Sequence, residues 1–269
     1  MLTGMTEEDW SVVLEVFDAA QSSRGEPGHD DRRFLEAVHY FTVHSITWRV
    51  HCSQYNVAGL AGTIRQMEQR VEAVLAAEPF RCVRGVLSTA CRTQPNRTLG
   101  AVLRQRDCPR PRLGRRGKRG QQHQALGRSR GGFSTKIHLK TDLDGRPLDF
   151  HLTGGETSDS TQFETSLDIG PDIRPRIAVT DKGYDSAANR QAARDRGIAP
   201  VIPRRENSRQ RGRFFPKRLY RLRARIEQTI GKLKRFKRVA MRCDKTSTSY
   251  AAFVSFACAM ILVKSVHTT

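Results

Sequence analysis

The stretch Arg176-Ile177-Ala178-Val179-Thr180-Asp181-Lys182-Gly183-Tyr184 decides how the chain is to be read. Ile177 to Val179 is a short apolar run between a charged residue and a glycine-containing turn, the pattern of a buried strand. It brings a carboxylate, Asp181, to the C-terminal end of that strand, the edge at which open α/β sheets place their sites. Gly183 is expected to let the backbone turn sharply just past the acid. An aspartate in this position serves equally well as a helix cap or turn residue, so its neighbours must decide between the two roles.

Downstream, Asp185 or Ser186 can cap a helix that ends at Gly197. Ala199 to Ile202 reads as another strand, and a basic loop follows from Pro203 to Pro216. A long helix is then expected from about Lys217 to Phe236. On it Tyr220, Arg223, Glu227 and Lys234 follow at spacings of three, four and seven. At about 100° per residue they share an arc of roughly 60°. Leu219, Leu222, Ile226, Ile230 and Leu233 fill the adjacent arc and should face the core. Glu227 therefore stands between core and solvent, among cations. A solvated Arg223–Glu227 pair at i,i+4, contributing roughly a few tenths of a kcal/mol, explains the spacing as well. Thr246 to Thr248 offer caps for a last helix, from about Ser249 to Val266. Its apolar stretch, Tyr250 to Val263, is short for a membrane span and suits a buried core helix.

Upstream, Phe133 to Thr141 alternates around Ile137 and Leu139, as a half-buried strand does. Asp144-Gly145 is a hairpin turn signal, and Pro147 to Leu152 can return as the partner strand. Asp159 to Leu167 suits a short helix. Strands followed by alternating strand and helix imply an α/β layer fold. The first 49 residues read as a small helical module. Thr6 and Asp9 have capping-box spacing, with Asp in place of the usual Glu or Gln. Trp10, Val13, Leu14 and Phe17 follow at helical spacing. Asp30 or Asp31 can cap a second helix carrying Phe34, Leu35, Val38 and Phe41.

Between these regions the pattern deteriorates. A helix from Leu60 to Ala77 is the one periodic element expected between Val50 and Gln124. Residues 81–140 hold one acid, Asp107, against sixteen Lys and Arg, and so supply +15 of the chain's net +20. Such an excess, with a pI near 10.6, favours a polyanionic partner, usually nucleic acid. Arg104 to Gly120 carries Arg, Pro and Gly with few apolar residues, a composition of disordered or nucleic-acid-bound chain. The six cysteines include no C-x2-C pair, which argues against a zinc site and for reduced cytosolic thiols. No basic-then-apolar leader opens the chain, so a cytoplasmic, nucleoid-associated protein without a membrane is expected.

Two carboxylates, one from a strand end and one from a helix, can jointly bind Mg²⁺, which prefers oxygen ligands. Two such ions clamp the attacking and leaving oxygens of a phosphodiester. Here the residues carry a resemblance. Tyr220-x2-Arg223-x3-Glu227-x6-Lys234 resembles the signature around the catalytic Glu of bacterial DDE-type insertion-sequence transposases. Thr180 to Asp185 resembles the block around their second catalytic Asp, and Gly127 to Lys136 the segment that opens their central sheet. Residues 124–269 are similar to the insertion-sequence-5 group, and residues 1–49 to its N-terminal module. The resemblance implies a ribonuclease-H-like catalytic core over residues 125–269. It also implies cleavage and strand transfer at element ends with Mg²⁺ or Mn²⁺. Asp181 and Glu227 would be the catalytic, metal-binding acids, and Tyr220, Arg223 and Lys234 the DNA contacts. The implied partners are the terminal repeats of the element, target DNA and further copies of the chain.

The family's first catalytic Asp, usually in Asp-Ser-Thr, has no counterpart. The acid in that region is Asp107, and Pro109 and Pro111 argue against a regular interior strand there. Two readings cover residues 50–124: translation out of frame between compensating shifts, or a divergent basic linker. The first accounts for the lost Asp and for the lost aromatic segment after Trp48-Arg49. The expected activity of this copy is then nil, and a non-catalytic DNA-binding remnant or regulator of transposition is the alternative function. An RNA-binding protein would share the charge but leave the Tyr220–Lys234 spacing unexplained.

Overall fold

A computed structural model describes residues 4–20, 30–45, 100–109, 124–170, 175–206 and 214–267. The expected Leu60–Ala77 helix lies outside these residues, as do most of the segment read as out of frame and part of the basic loop. The chain forms two units. One is Met1–Val86, Pro109–Gln124 and Lys232–Thr269; the other is Leu87–Cys108 and Ala125–Gly231.

The second unit is a mixed α/β structure built on one sheet of six strands. These are β1 (Gly100–Pro109), β2 (Gly127–Ser129), β3 (Gly132–Thr141), β4 (Pro147–Gly154), β5 (Ile177–Thr180) and β6 (Ala199–Val201). Their order is β2-β3-β1-β5-β6, with β4 also paired to β3. β5 runs parallel to both β1 and β6, while β3 and β4 form an antiparallel hairpin. The strand at Ile177 is as expected, with Ala178 and Val179 fully buried.

β1 corrects the sequence reading, which excluded an interior strand around Asp107. Gly100, Ala101, Val102 and Leu103 pair in parallel with Ile177, Ala178, Val179 and Thr180. Three apolar residues suffice for that short ladder. Pro109 is the last residue of the strand, where its missing N–H breaks no interior pairing. β3 differs too: it does not alternate but is buried continuously from Ser134 to Thr141. Its buried polar residues therefore need partners. Lys140 donates to the Leu167 and Ile169 carbonyls, each at 2.7 Å, at the end of helix α3 (Phe163–Asp168). There its charge complements the helix dipole, although burial pushes its pKa down.

The β3–β4 turn forms at the expected place. Asp142 accepts from the backbone N–H groups of Asp144 and Arg146 at 2.9 and 2.8 Å. Gly145 has φ +85°, and a Cβ there would stand 2.9 Å from the Arg225 carbonyl oxygen and 3.0 Å from Thr229 Oγ1. The hairpin tip thus seats against the helix that carries Glu227, and both conformation and space demand glycine.

The described residues of the first unit are mainly helical. α1 (Glu7–Ala20) opens with the expected capping box: Thr6 N–H donates to Asp9 Oδ2 at 3.0 Å, and Asp9 N–H to Thr6 Oγ1 at 3.1 Å. α2 (Asp31–His44) is capped by Asp30, which accepts from Arg33 N–H at 2.9 Å. Trp10, Val13, Phe17, Phe34, Leu35, Val38 and Phe41 are buried. The last helix, Ser247–His267, is long and apolar enough to cross a membrane. Its Tyr250, Val254, Ala257 and Cys258 are nevertheless fully buried in the protein.

Candidate active site

Asp181 leaves β5 in extended conformation and caps a short turn, Lys182–Tyr184, by accepting from Lys182 N–H at 2.7 Å. The turn is 3-10 in character, and Gly183 is not among the glycines of positive φ. The expected need for glycine there is therefore corrected: a Cβ would meet only Asp159 Oδ2, at 3.4 Å, an ordinary contact. Other groups hold the turn. Asn189, buried in helix α4 (Ala187–Asp195), donates through Nδ2 to the Tyr184 carbonyl at 2.9 Å, and to the Ser160 carbonyl and hydroxyl at 3.0 and 3.1 Å. Arg205 donates to the Gly183 carbonyl at 3.1 Å. Asp185 accepts from Arg205 N–H at 2.8 Å and from Arg190 at 2.7 Å. Burial alone would raise the Asp185 pKa; these hydrogen bonds and positive charges outweigh it and hold the carboxyl below its ordinary value.

The second acid arrives on a shorter helix than expected. The stretch from Lys217 to Phe236 is not one element: α5 (Lys217–Tyr220) gives way to α6 (Arg223–Leu233). Leu222, Ala224 and Arg225 donate to carbonyls three residues back, so the chain tightens between the two helices. Leu219 consequently stands 38% exposed instead of facing the core, whereas Ile226, Ile230 and Leu233 are buried as expected. Thr229 Oγ1 donates to the Gly145 carbonyl, fixing α6 on the hairpin tip.

These two positions meet at Arg223. Its Nη1 lies 3.3 Å from Asp181 Oδ1 and its Nη2 lies 3.1 Å from Glu227 Oε1. The three side chains retain 28–38% of their exposure, so the cluster opens to solvent. Tyr220 is close by, its ring centroid 5.3 Å from Arg223 Cζ. The structure thus gathers Asp181, Glu227, Arg223 and Tyr220. Lys234 is exposed, one residue past the end of α6. Two carboxylates already gathered around one cation suit the oxygen-donor chemistry of Mg²⁺ or Mn²⁺. No cluster of three or more His, Cys, Asp or Glu fit to hold a metal occurs among the described residues.

Sequence reasoning missed the supports. Lys136, buried on β3, donates to Asp159 Oδ1 at 3.0 Å and to the Thr157 carbonyl at 2.6 Å, placing a second carboxylate beside the Asp181 turn. Nothing in local spacing marks Lys136, Asn189 or Arg205, because their partners lie far away in the chain. His138 and His151 are cross-strand partners stacked at 4.5 Å between centroids.

The family described as Transposase DDE domain matches residues 88–262. Over 136 residues the chain is 35% identical to the transposase for insertion sequence element IS402 of Burkholderia cepacia, a match spanning 47% of this chain and 62% of that protein. Over 139 residues it is 33% identical to the transposase for insertion sequence element IS6501 of Brucella ovis, spanning 49% of this chain and 100% of that one. A match to a solved structure titled Mos1 transposase paired-end complex with left transposon end spans 81% of this chain and 82% of that one at 12% identity, with a TM-score of 0.26. From the family match and these relatives, the chain belongs to the DDE-type insertion-sequence transposases.

Proposed function

We propose that this chain is a transposase that binds the ends of an insertion sequence of the insertion-sequence-5 group but no longer cuts them. The convergence of Asp181 and Glu227 on one guanidinium carries the first half of the reading. Those two acids would hold a divalent ion, which when bound supplies charge neutralisation at a scissile phosphodiester. Tyr220, Arg223 and Lys234 would lie along the DNA backbone, and the net charge of +20 supports strong attraction to it. The mixed sheet, with hairpin β3–β4 on one side of β1 and parallel β5 and β6 on the other, supports a ribonuclease-H-like core. Assembly as a multimer on DNA and a cytoplasmic, nucleoid-associated location go with the same reading.

The second half rests on β1. Its register with β5 ends at Leu103 opposite Thr180. The next residues in sequence are Arg104 in β1 and Asp181 beyond the end of β5, so on this reading the sequence offers a cation where an acid would complete the metal site. Asp107 lies three residues beyond Arg104, roughly 10 Å along an extended strand. With two acids the clamp on attacking and leaving oxygens is incomplete, and electrostatic stabilisation is most of what such an enzyme contributes.

The test is incubation of the full chain with duplex carrying the element ends, in Mg²⁺ and in Mn²⁺. The expected result is retention of DNA without cleavage. Robust cleavage that Asp107→Ala abolishes would overturn the reading. Reading codons 50–120 in the other frames should reveal an Asp-Ser-Thr-like segment; its absence from every frame would end the frameshift account.

A further inference from the structure

We propose that the β2–β3 hairpin is a further DNA-binding surface, a stiff ribbon that places Arg128 and Arg130 on duplex phosphates and Phe133 against base edges. This deepens the DNA-binding part of the function proposed above and rests on it. The two strands pair Gly127 with Ser134, Arg128 with Phe133 and Ser129 with Gly132, which leaves Arg130-Gly131 as the turn. Side chains alternate along a strand, so Arg128 and Phe133, directly opposite in the register, share one face of the ribbon. Both are exposed, Phe133 at 52%, and Arg130 is exposed at the tip. An aromatic ring left in water beside two cations suits a nucleic acid, whose phosphates take the cations and whose base edges take the ring.

The protein itself fills the opposite face of the ribbon. A Cβ on Gly127 would stand 1.1 Å from Glu156 Oε2, so the Glu156 carboxylate occupies the place of a Gly127 side chain. Gly127 is buried and Arg128 follows it in the alternation, so this acid lies on the face away from Arg128. No hydrogen bond or ion pair ties the side chain of Arg128 or Arg130 to another described residue. Their charge is therefore available to a polyanion. The hairpin is held in shape: Ser129 Oγ donates to the Gly132 carbonyl at 3.0 Å, and Gly132 takes φ +107°, where glycine is favoured. Just below it, Thr135 Oγ1 donates to the Ala125 carbonyl at 2.5 Å. A surface already ordered loses little conformational freedom on binding, and the ~12 Å major groove admits a two-stranded ribbon. Three residues beyond Phe133, about 10 Å along an extended strand, Lys136 pairs with Asp159 at 3.0 Å beside the Asp181 turn. One short duplex can thus reach both the acids and the hairpin.

The experiment follows the anisotropy of a fluorescein-labelled, mixed-sequence DNA duplex with the full chain over a salt series. Arg128→Gln combined with Arg130→Gln should lower the log–log salt slope by about two, one for each lost phosphate contact. Phe133→Ser should weaken binding about tenfold at every salt concentration, the loss expected for the exposed half of the ring. It should leave the slope unaltered, because an apolar contact releases no counter-ions, and Phe133→Tyr should restore most of the affinity. All three positions are exposed, and circular dichroism with the denaturation midpoint checks that each variant is folded. Folded hairpin variants whose slopes and affinities overlay the parent's overturn the proposal. So do variants that bind DNA like the parent but change its sedimentation, which would give this face to a second copy of the chain. Lys234→Ala separates the two levels. If the parent has no affinity for the duplex even at low salt, the DNA-binding reading itself fails. If the parent binds and Lys234→Ala lowers the slope while the hairpin variants do not, only the hairpin proposal falls.

Discussion

β1 and β5 are parallel neighbours that pair residue for residue over four positions, yet they end in opposite chemistry. β5 runs Ile177-Ala178-Val179-Thr180 and then presents Asp181 on a turn held by Asn189, Arg190 and Arg205. β1 runs Gly100-Ala101-Val102-Leu103 and continues into Arg104-Gln105-Arg106-Asp107. A ladder asks only for backbone donors and acceptors and a few apolar side chains, so many sequences satisfy it. A two-metal site asks for one residue type at one register position. A sheet would therefore tolerate a replaced segment, as proposed for residues 50–120, where a catalytic centre would not.

The sharpest way to break this comparison is to give β1 the ending of β5. Arg104→Asp removes a positive charge and adds a carboxylate at the residue that follows the β1–β5 register. Mn²⁺ affinity of the full chain should rise by about a hundredfold, ~2.7 kcal/mol, as ligand charge count increases. An affinity equal to the parent's, in a variant that still folds, would mean that the two strand ends do not share a cation site. Removing the carboxylate at the neighbouring acid, Asp107→Asn, should leave Mn²⁺ affinity unchanged.

A smaller effect is expected from loosening the β5 ending. Asn189→Ala removes three hydrogen bonds and leaves the buried Tyr184 carbonyl without that donor. Stability should fall by about 1–3 kcal/mol, measured as a shift in denaturant midpoint at constant slope. If the midpoint stays put, the turn is held by Arg190 and Arg205 alone.

What was legible in the sequence follows the same division. Local signals were read correctly: the Thr6–Asp9 box, the Asp30 cap, the turn at Asp144-Gly145 and the β5 strand each depend on residues a few positions apart. β1 was missed because Ala101 to Leu103 gains its strand character from β3 and β5, distant in the chain. The break before Arg223 was missed because apolar spacing continues through Leu219 and Leu222 while the hydrogen bonds tighten to i+3. Asp181 and Glu227 could be named from motif spacing; that Arg223 would bridge both, and that Lys136 and Asp159 would stand beside the turn, depends on tertiary placement that no local pattern encodes.

On the far side of β1, the β3–β4 pair supplies a pH test that leaves the acid site alone. Burial, and secondarily the positive fields of His151 and Lys136, push the His138 pKa down to about 3; burial also lowers that of His151. Above the ordinary value near 6.5 both imidazoles are neutral folded or unfolded, and their contribution is fully present. As pH falls below 6.5 the unfolded chain takes up protons that the folded chain refuses, so stability declines towards pH 3. For His138 the slope is up to about 1.4 kcal/mol per pH unit. His138→Gln should flatten the decline between pH 6.5 and 4; an unaltered pH profile would show that the ring titrates alike in both states.

The smallest expected effect concerns what a replaced segment keeps. β1 and its flanks carry Arg104, Arg106, Arg110 and Arg112, so the proposed loss of cutting would not entail loss of DNA binding. Binding should fall steeply with salt, because each neutralised phosphate releases counter-ions. Lys234, exposed just beyond α6, would be one such contact on the proposed reading. Lys234→Ala should weaken binding about equally across DNA sequences and lower the log–log salt slope by about one. Mn²⁺ affinity without DNA should not change. A Lys234→Ala salt series that overlays the parent would remove Lys234 from the DNA path. A parent whose binding ignores salt would mean that the basic stretch around β1 is a solvated surface, and that the segment preserved neither chemistry nor its partner.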